Sequence, residues 1–437
     1  MSFSEWHRVS IKDVFELIPG FAFKSKDFSE NGIPVIKIKN VKALRLLDRD
    51  FSYIDPKYLE TKSRFTTKKG DLLISMTGNR IEGSMSSWVG KVCRINSDKK
   101  YLINQRVGIL RLSNESYSDK FFLYLLGSEE IQKKLISIAT SSGGQANISP
   151  DQIKSLEFSI PCFEEQNAIA HILSTLDDKI EVNNQINKTL ENMAQAIFKQ
   201  WFVDFEFPNE DGEPYKSSGG EMVESELGLI PKGWEVKPFE DAFYFQEGPG
   251  IRNWQYVENG TKFINIRCIQ DNDLYLETAN MISFEEAEGK YKHFMIDSGD
   301  IVMSTSGTLG RYAIVREEHL PLCLNTSVIR FKPLHGQEHY SYMYAYLTSN
   351  EFLNHLTTKA SGSVQKNFGP MHLRQIKLLY PNVSIIKLLN AIISPIIKSS
   401  LHTKKENDKL KKLRDTLLPK LMSGEIRVPL DEEGDAS

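Results

Sequence analysis

An internal duplication constrains this chain more than any other feature. Residues 70–79 read GDLLISMTGN, and residues 299–308 read GDIVMSTSGT. The flanks repeat in the same order. EWHRVSIKDVF (from Glu5) is answered by GWEVKPFEDAF (from Gly233), and IPVIKIKNV (from Ile33) by TKFINIRCI (from Thr261). VGKVCRI (from Val89) matches LGRYAIV (from Leu309), and LINQRVGILRL (from Leu102) matches LCLNTSVIRF (from Leu322). SSGGQANISP (from Ser141) precedes one ending in QIK, an apolar run and Pro161; ASGSVQKNFGP (from Ala360) precedes the other, ending at Pro381. A period of about 220–230 residues far exceeds a solenoid repeat, so each copy is the size of a domain.

The 437 residues suit two to three domains. A hydrophobic share of 40% with 25% charged residues fits a globular chain that buries a core. No run of 18 apolar residues suggests a membrane span, and MSFSEWHRVS has no apolar signal core. Cys93, Cys162, Cys268 and Cys323 form no CxxC pair, so neither a zinc ribbon nor a disulfide framework is expected. A reducing, cytoplasmic compartment is the expectation.

The net charge of −3 hides an asymmetry. Residues 1–160 carry 25 basic and 18 acidic side chains, a net +7, whereas residues 161–230 carry 4 and 14, a net −10. Residues 231–381 come to −2 and residues 382–437 to +2. A polyanion partner suits the basic first copy; a solvated charged surface is the plainer alternative.

A helical segment follows each copy. The first spans about 164–202, with a seam of Ile169, Leu173, Leu176, Ile180, Asn183, Asn187, Leu190, Ala194, Ile197 and Trp201. Its steps alternate four and three residues, the heptad spacing of a coiled coil. The second spans about 384–418 and aligns without gaps when Asn167 is set against Asn390 and Leu190 against Leu413. Pro395 removes a backbone donor and predicts a kink, with the straight part starting near Ile396. Pro208, Pro419 and Gly424 mark the ends. A duplicated domain–helix unit folds readily with a pseudo-two-fold, which makes the helices antiparallel. Polar middles then meet: Asn183, Asn184, Gln185 and Asn187 against Lys404, Lys405, Glu406, Asn407 and Asp408.

The expected class is therefore α+β: two similar mixed α/β domains separated by two long antiparallel helices in a coiled coil. The expected parts are domain 1 (1–160), a central helix (161–206), an acidic linker (207–230), domain 2 (231–381), a distal helix (382–423) and an acidic tail (424–437).

Catalytic chemistry is not legible. No GxxxxGK[ST] loop exists. Asp55-Pro56-Lys57-Tyr58 carries lysine where a methyltransferase's second proline belongs and reads as a turn. His335 and His339 sit in HGQEH, not HExxH, with no third ligand. No catalytic residue and no metal ligand is assigned. The polar loops share a vocabulary instead. The first copy offers Lys24, Lys37, Lys39, Asn40, Thr77, Asn79, Arg80, Asn104, Gln105, Arg106, Ser142, Gln145 and Asn147. The second offers Arg252, Asn253, Arg267, Ser306, Thr308, Arg311, Asn325, Thr326, Ser363, Gln365, Lys366 and Asn367. Arg and Lys suit guanine edges or phosphates, and Asn and Gln suit adenine. These residues also build ordinary turns. Two readers at a fixed separation suit a split site on duplex DNA.

Three stretches carry a family resemblance: EEQNAIAHILSTLDDKIEVNNQINKTLENMAQAIFKQWFVDF (from Glu164), LGLIPKGWEV (from Leu227) and LRDTLLPKLMSGEIRV (from Leu413). With these the chain resembles, over essentially its whole length, the specificity subunit of type I restriction–modification enzymes. The resemblance implies two target-recognition domains with helical spacers and no catalytic centre. It implies recruitment of two adenine-N6 methyltransferase subunits, which use S-adenosylmethionine, and of ATP-dependent, Mg-requiring translocating endonuclease subunits. The DNA-contact set is carried by loop position. Ile197, Trp201, Phe202, Leu417 and Leu418, with the acidic linker, are expected to form the methyltransferase docking surface. The alternative is a scaffold that does not bind DNA and carries two protein-binding heads on a coiled coil.

Overall fold

The computed structural model describes residues 5–79, 89–142, 145–307, 309–359 and 367–429. The chain divides into two compact units. Unit 1 comprises Met1–Val182 and Glu406–Ser437; unit 2 comprises Asn183–Lys405.

In unit 1 the doubled phrase is a turn followed by a central strand. Gly70 adopts φ +91, a conformation that favours glycine. Asp71 follows, buried, accepting from the Lys68 backbone N–H at 2.7 Å and paired with Arg111 at 2.7 Å. Leu72–Ser75 then runs wholly buried between Val92–Arg94 and Val107–Leu112, and the last of these pairs with Phe15–Pro19. A second sheet orders Leu102–Ile103, Ile33–Ile36, Ser52–Ile54 and Phe28–Ser29, its first pair parallel. Within IPVIKIKNV the strand Ile33–Ile36 gives way to a 3-10 helix at Ile38–Asn40.

Unit 2 repeats this element by element. Gly299 has φ +89, and buried Asp300 lies 3.4 Å from Lys332 and 3.6 Å from Arg330. Ile301–Ser304 lies between Tyr312–Ile314 and Val328–Pro333, which pairs with Phe243–Glu247. The second sheet orders Leu322–Leu324, Thr261–Ile264, Asn280–Ile282 and Tyr256–Val257, again with one parallel pair. The stretch expected as an acidic linker is part of this unit. Met222–Ser225 and Gly228–Pro231 form a hairpin, and Phe207, Ile230 and Trp234 join the core.

Two 40-residue helices, α1 (Phe163–Phe202) and α2 (Val383–Met422), each contribute to both units. Within unit 1 they run antiparallel: Asp177 meets Arg414 at 2.6 Å, and Lys179 meets Glu406 at 3.4 Å. Within unit 2, Thr403 Oγ1 donates to Asn187 Oδ1 at 2.5 Å. The seam is inside, with Ile169, Leu173, Asn183 and Ala194 fully buried. Asn184 and Gln185 are exposed, so Asn183 and Asn187, four residues apart, are the inward members of this polar middle.

One expectation needs correction. The helices correspond at an offset of 220 residues, since Phe163 matches Val383 at the start and Phe202 matches Met422 at the end. Burial follows that register: Ile169 with Leu389, Leu173 with Ile393, Asn187 with Asn407, Trp201 with Leu421. Matching identical residues placed the alignment three residues away, nearly one turn, because a heptad pattern resembles itself after a turn. The helix α2 runs on through Pro395, the position of the expected kink. A proline costs a helix interior about 3 kcal/mol. Burial of Ile393, Ile396 and Ile397 around it offsets that, at about 1.5–3 kcal/mol each.

Unit 2 also contains an acid-sensitive residue. His319 is buried, and burial, followed by the Arg316 guanidinium, pushes its pKa down to about 4. A depressed histidine stabilises above its unfolded pKa and loses that contribution as pH falls towards the folded value. Unit 2 should therefore lose roughly 2–3 kcal/mol between pH 7 and 4.5 from this group. Urea unfolding of the parent and of His319→Gln at both pH values measures it; an equal acid loss in both chains would refute it.

Candidate nucleic-acid interface

The polar loops converge because backbone hydrogen bonds join the strand ends that carry them. In unit 1 the Asn104 N–H donates to Ile36 O, Gln105 to Phe21 O, Met76 to Arg106 O and Ile148 to Met76 O, all at 2.9 Å. In unit 2 the Asn325 N–H donates to Ile264 O (3.1 Å), Thr326 to Pro249 O (3.2 Å), Thr305 to Ser327 O (3.0 Å) and Phe368 to Thr305 O (3.0 Å). The two ladders match bond for bond at the duplicated positions. A glycine seats each one. A Cβ on Gly20 would lie 2.1 Å from Asn104 O, and one on Gly248 would lie 2.6 Å from Asn325 O.

In unit 1 the ladder gathers Lys39, Asn104, Gln105, Arg106, Thr77, Gln145 and Asn147. Lys39, Gln105, Arg106 and Gln145 are exposed. The Arg106 guanidinium donates to Gln145 Oε1 at 3.2 Å, and Thr77 Oγ1 donates to Asn147 Oδ1 at 2.8 Å. The strand Thr77–Asn79 pairs with Gln145–Asn147, and that with Thr140–Ser142, so two distant motifs form one small sheet. Lys37 is half-buried: its Nζ donates to Ser52 Oγ at 2.8 Å and lies 4.1 Å from the Phe28 ring centroid. Burial lowers its pKa, with Lys39 adding to the effect.

In unit 2 the ladder gathers Arg267, Ser306, Arg311, Asn325, Thr326 and Asn367. Arg267, Arg311, Thr326 and Asn367 are exposed. Asn325 Oδ1 accepts from the backbone and hydroxyl of Ser327, both at 3.0 Å, which fixes the turn.

Some expected contacts fall elsewhere. Asn40 is fully buried; its amide donates to Leu47 O and Arg49 O, and its Oδ1 accepts from the Lys37 N–H. It holds a loop and presents nothing outward. Lys24, Arg252 and Asn253 belong to matching turns, Ser25–Asp27 and Asn253–Gln255. Strand register sets Phe28 level with Ile33 and Tyr256 level with Thr261, so these turns enter their sheets at the end away from the ladder. Arg80, Thr308, Ser363, Gln365 and Lys366 lie outside the described residues, as do the side chains of Asn79 and Ser142.

One ladder position is absent from the expected set. Lys91 occupies the place of Arg311: the Ser75 N–H donates to Lys91 O as the Ser304 N–H does to Arg311 O, both at 2.9 Å. The VGK and LGR phrases already aligned them. Trp254, 80% exposed, stands on the turn Asn253–Gln255, which enters its sheet away from the ladder.

The expected docking residues also need correction. Trp201 and Phe202 are each 5% exposed, and Phe202 lies 5.3 Å from Trp234 and 5.1 Å from Tyr342, ring to ring. Ile197 packs on the same core. Leu418 is buried in the core of unit 1, with Leu417 against it. A seam that runs past the helix partner continues into the nearest apolar body, so these side chains anchor α1 and α2 within their units.

Comparison with known proteins agrees with this architecture. The family described as type I restriction modification DNA specificity domain matches residues 3–192 and 231–412. A type I restriction enzyme HindI specificity subunit from Haemophilus influenzae is 26% identical, covering 97% of this chain and 100% of its own length. A MjaIX specificity subunit from Methanocaldococcus jannaschii is 27% identical, covering 71% of this chain and 69% of its own. The crystal structure of a type I restriction–modification S subunit from M. genitalium shares the fold, with a TM-score of 0.51 at 17% identity over 96% of both chains.

Proposed function

The chain belongs to the type I restriction modification DNA specificity family, and from that premise we propose that its two units read the two halves of one asymmetric, bipartite duplex DNA target. The duplicated ladder carries this reading. One backbone frame presents Lys39, Gln105, Arg106 and Gln145 in unit 1, and Arg267, Arg311, Thr326 and Asn367 in unit 2. The same frame with different donors and acceptors suits two different base sequences. The net +7 of residues 1–160 favours phosphate contacts for the first reader. The near-neutral second copy relies more on base contacts and on neighbouring subunits.

In this proposal the chain performs no chemistry. Adenine-N6 methylation belongs to two methyltransferase subunits with S-adenosylmethionine. Translocation and cleavage belong to endonuclease subunits with ATP and Mg. The assembly acts in the cytoplasm. Since the apolar ends of α1 and α2 are buried, the methyltransferases dock on other, solvent-facing surfaces.

Exchanging residues 1–160 for the matching domain of a relative should change one half-site of the methylated motif and leave the other intact. Sequencing of methylated adenines in cells carrying the chimera reads both at once. Simultaneous change of both halves would refute independent readers. Salt-insensitive binding by the assembled complex would favour the non-DNA scaffold instead.

A further inference from the structure

The helix pair contains an asymmetry that the duplication alone would not produce. In unit 1 the Arg414 guanidinium meets Asp177 at 2.6 Å, and Tyr124 Oη donates to the same carboxylate at 2.7 Å. Both partners are mostly covered, with side chains 19% and 28% exposed. At the 220-residue offset Asp177 corresponds to Ile397 and Arg414 to Ala194. Those two are 5% and 0% exposed within the apolar core of unit 2. One repeat therefore has an ion pair where the other has hydrocarbon.

We propose that this difference is a pairing code: α1 accepts an α2-type helix and rejects a second α1, so the duplicated halves never pair like with like between copies of the chain. The argument follows from the register. Two α1 helices in this register would set Asp177 opposite Ala194, leaving a covered carboxylate without its cation. Two α2 helices would set Arg414 opposite Ile397, leaving only Asp415, from its own helix, as partner. A two-fold pair contains each mismatch twice. Removing one partner of a covered ion pair is strongly destabilising, because the remaining charge stays desolvated.

A second contact points the same way. Glu191 Oε2 accepts from Asn272 Nδ2 at 2.9 Å, and Lys404 Nζ donates to Asn272 O, so acid and base share one residue in unit 2. Two α2 helices would set Lys404 opposite Lys411, the counterpart of Glu191. The Asn187–Thr403 contact in unit 2 joins an amide to a hydroxyl and carries no charge, so the charged positions carry the proposed selection. A like-with-like dimer would carry two identical reading edges and suit a symmetric target. Excluding it keeps the target asymmetric; this consequence rests on the DNA-reading proposal, whereas the code itself does not.

Single substitutions in the intact chain recreate each rejected contact. Arg414→Ala sets Asp177 against alanine, and Asp177→Ile sets Arg414 against isoleucine. Each should lower the unfolding midpoint of unit 1 by about 3–8 °C. The double variant, which copies the hydrocarbon pair of unit 2, should recover most of that loss. Singles as stable as the parent, or a double no better than the worse single, would overturn the proposal. Should the double fail to fold, Asp177→Asn with Arg414→Gln must be more stable than Arg414→Gln alone, and the opposite order refutes it. Selection itself is read by placing a protease site at the exposed Ser217–Ser218 turn and nicking the folded chain. After denaturation and joint refolding, native mass spectrometry should find unlike pieces paired. Like pairs at their statistical share would overturn the code whatever the stability cycle shows. These outcomes do not depend on DNA, so their failure is separable from failure of the DNA-reading proposal.

Discussion

Replacing Phe202 by alanine is expected to cost unit 2 about 3–5 kcal/mol, the range for deleting a buried aromatic ring. The ring stacks on Phe198 at 4.8 Å and also touches Trp234 and Tyr342. Its loss opens a cavity where the end of α1 enters the domain core. Trp201→Ala should act similarly, since that side chain is equally buried. Chemical denaturation of the purified chain measures both. If instead these residues were a docking surface, the variants would unfold like the parent and lose only methyltransferase copurification. That pattern would contradict the packing described above.

Gly20→Ala should disable one reader and spare the other. The new Cβ would lie 2.1 Å from Asn104 O and 2.8 Å from Val107 O, both backbone atoms that no side-chain rotation can move. Phe21, Asn104 and Gln105 would have to separate, breaking the first two bonds of the ladder. A cost of about 2–4 kcal/mol, local to unit 1, is expected. Half-site recognition should fall by about thirtyfold or more, given 1.4 kcal/mol per tenfold. Gly248→Ala should do the same to the second half-site. Competition binding with duplexes carrying one intact and one scrambled half-site separates the two variants. Equal loss on both duplexes would show that each glycine serves the whole chain, against two independent frames.

The sequence by itself determined the duplication, the α+β class, the two long helices and their seam, because each of these is a periodic or repeated pattern along the chain. Spacing alone turns Ile169, Leu173 and Ala194 inward, and all three are fully buried. It also located the loops that meet at the ladder, since repeated turns carry repeated residue types. Only the tertiary structure decided which loop residues stand outside. Asn40 and Asn104 look alike as sequence, yet Asn40 makes its hydrogen bonds to Leu47 and Arg49 within a buried loop. An amide has the same donors and acceptor in either place, and burial is set by residues far away in the chain. The helix register was ambiguous for a related reason: an amphipathic pattern shifted by nearly one turn still presents an apolar face, and only the observed helix ends and buried positions fix the offset at 220. The fate of Trp201 and Phe202 depended on the same thing. An apolar pair at a helix end fits a partner's surface or its own domain's core equally well in one dimension. The aromatic cluster of Phe198, Trp234 and Tyr342 around Phe202 exists only once α1 and the body of unit 2 have come together.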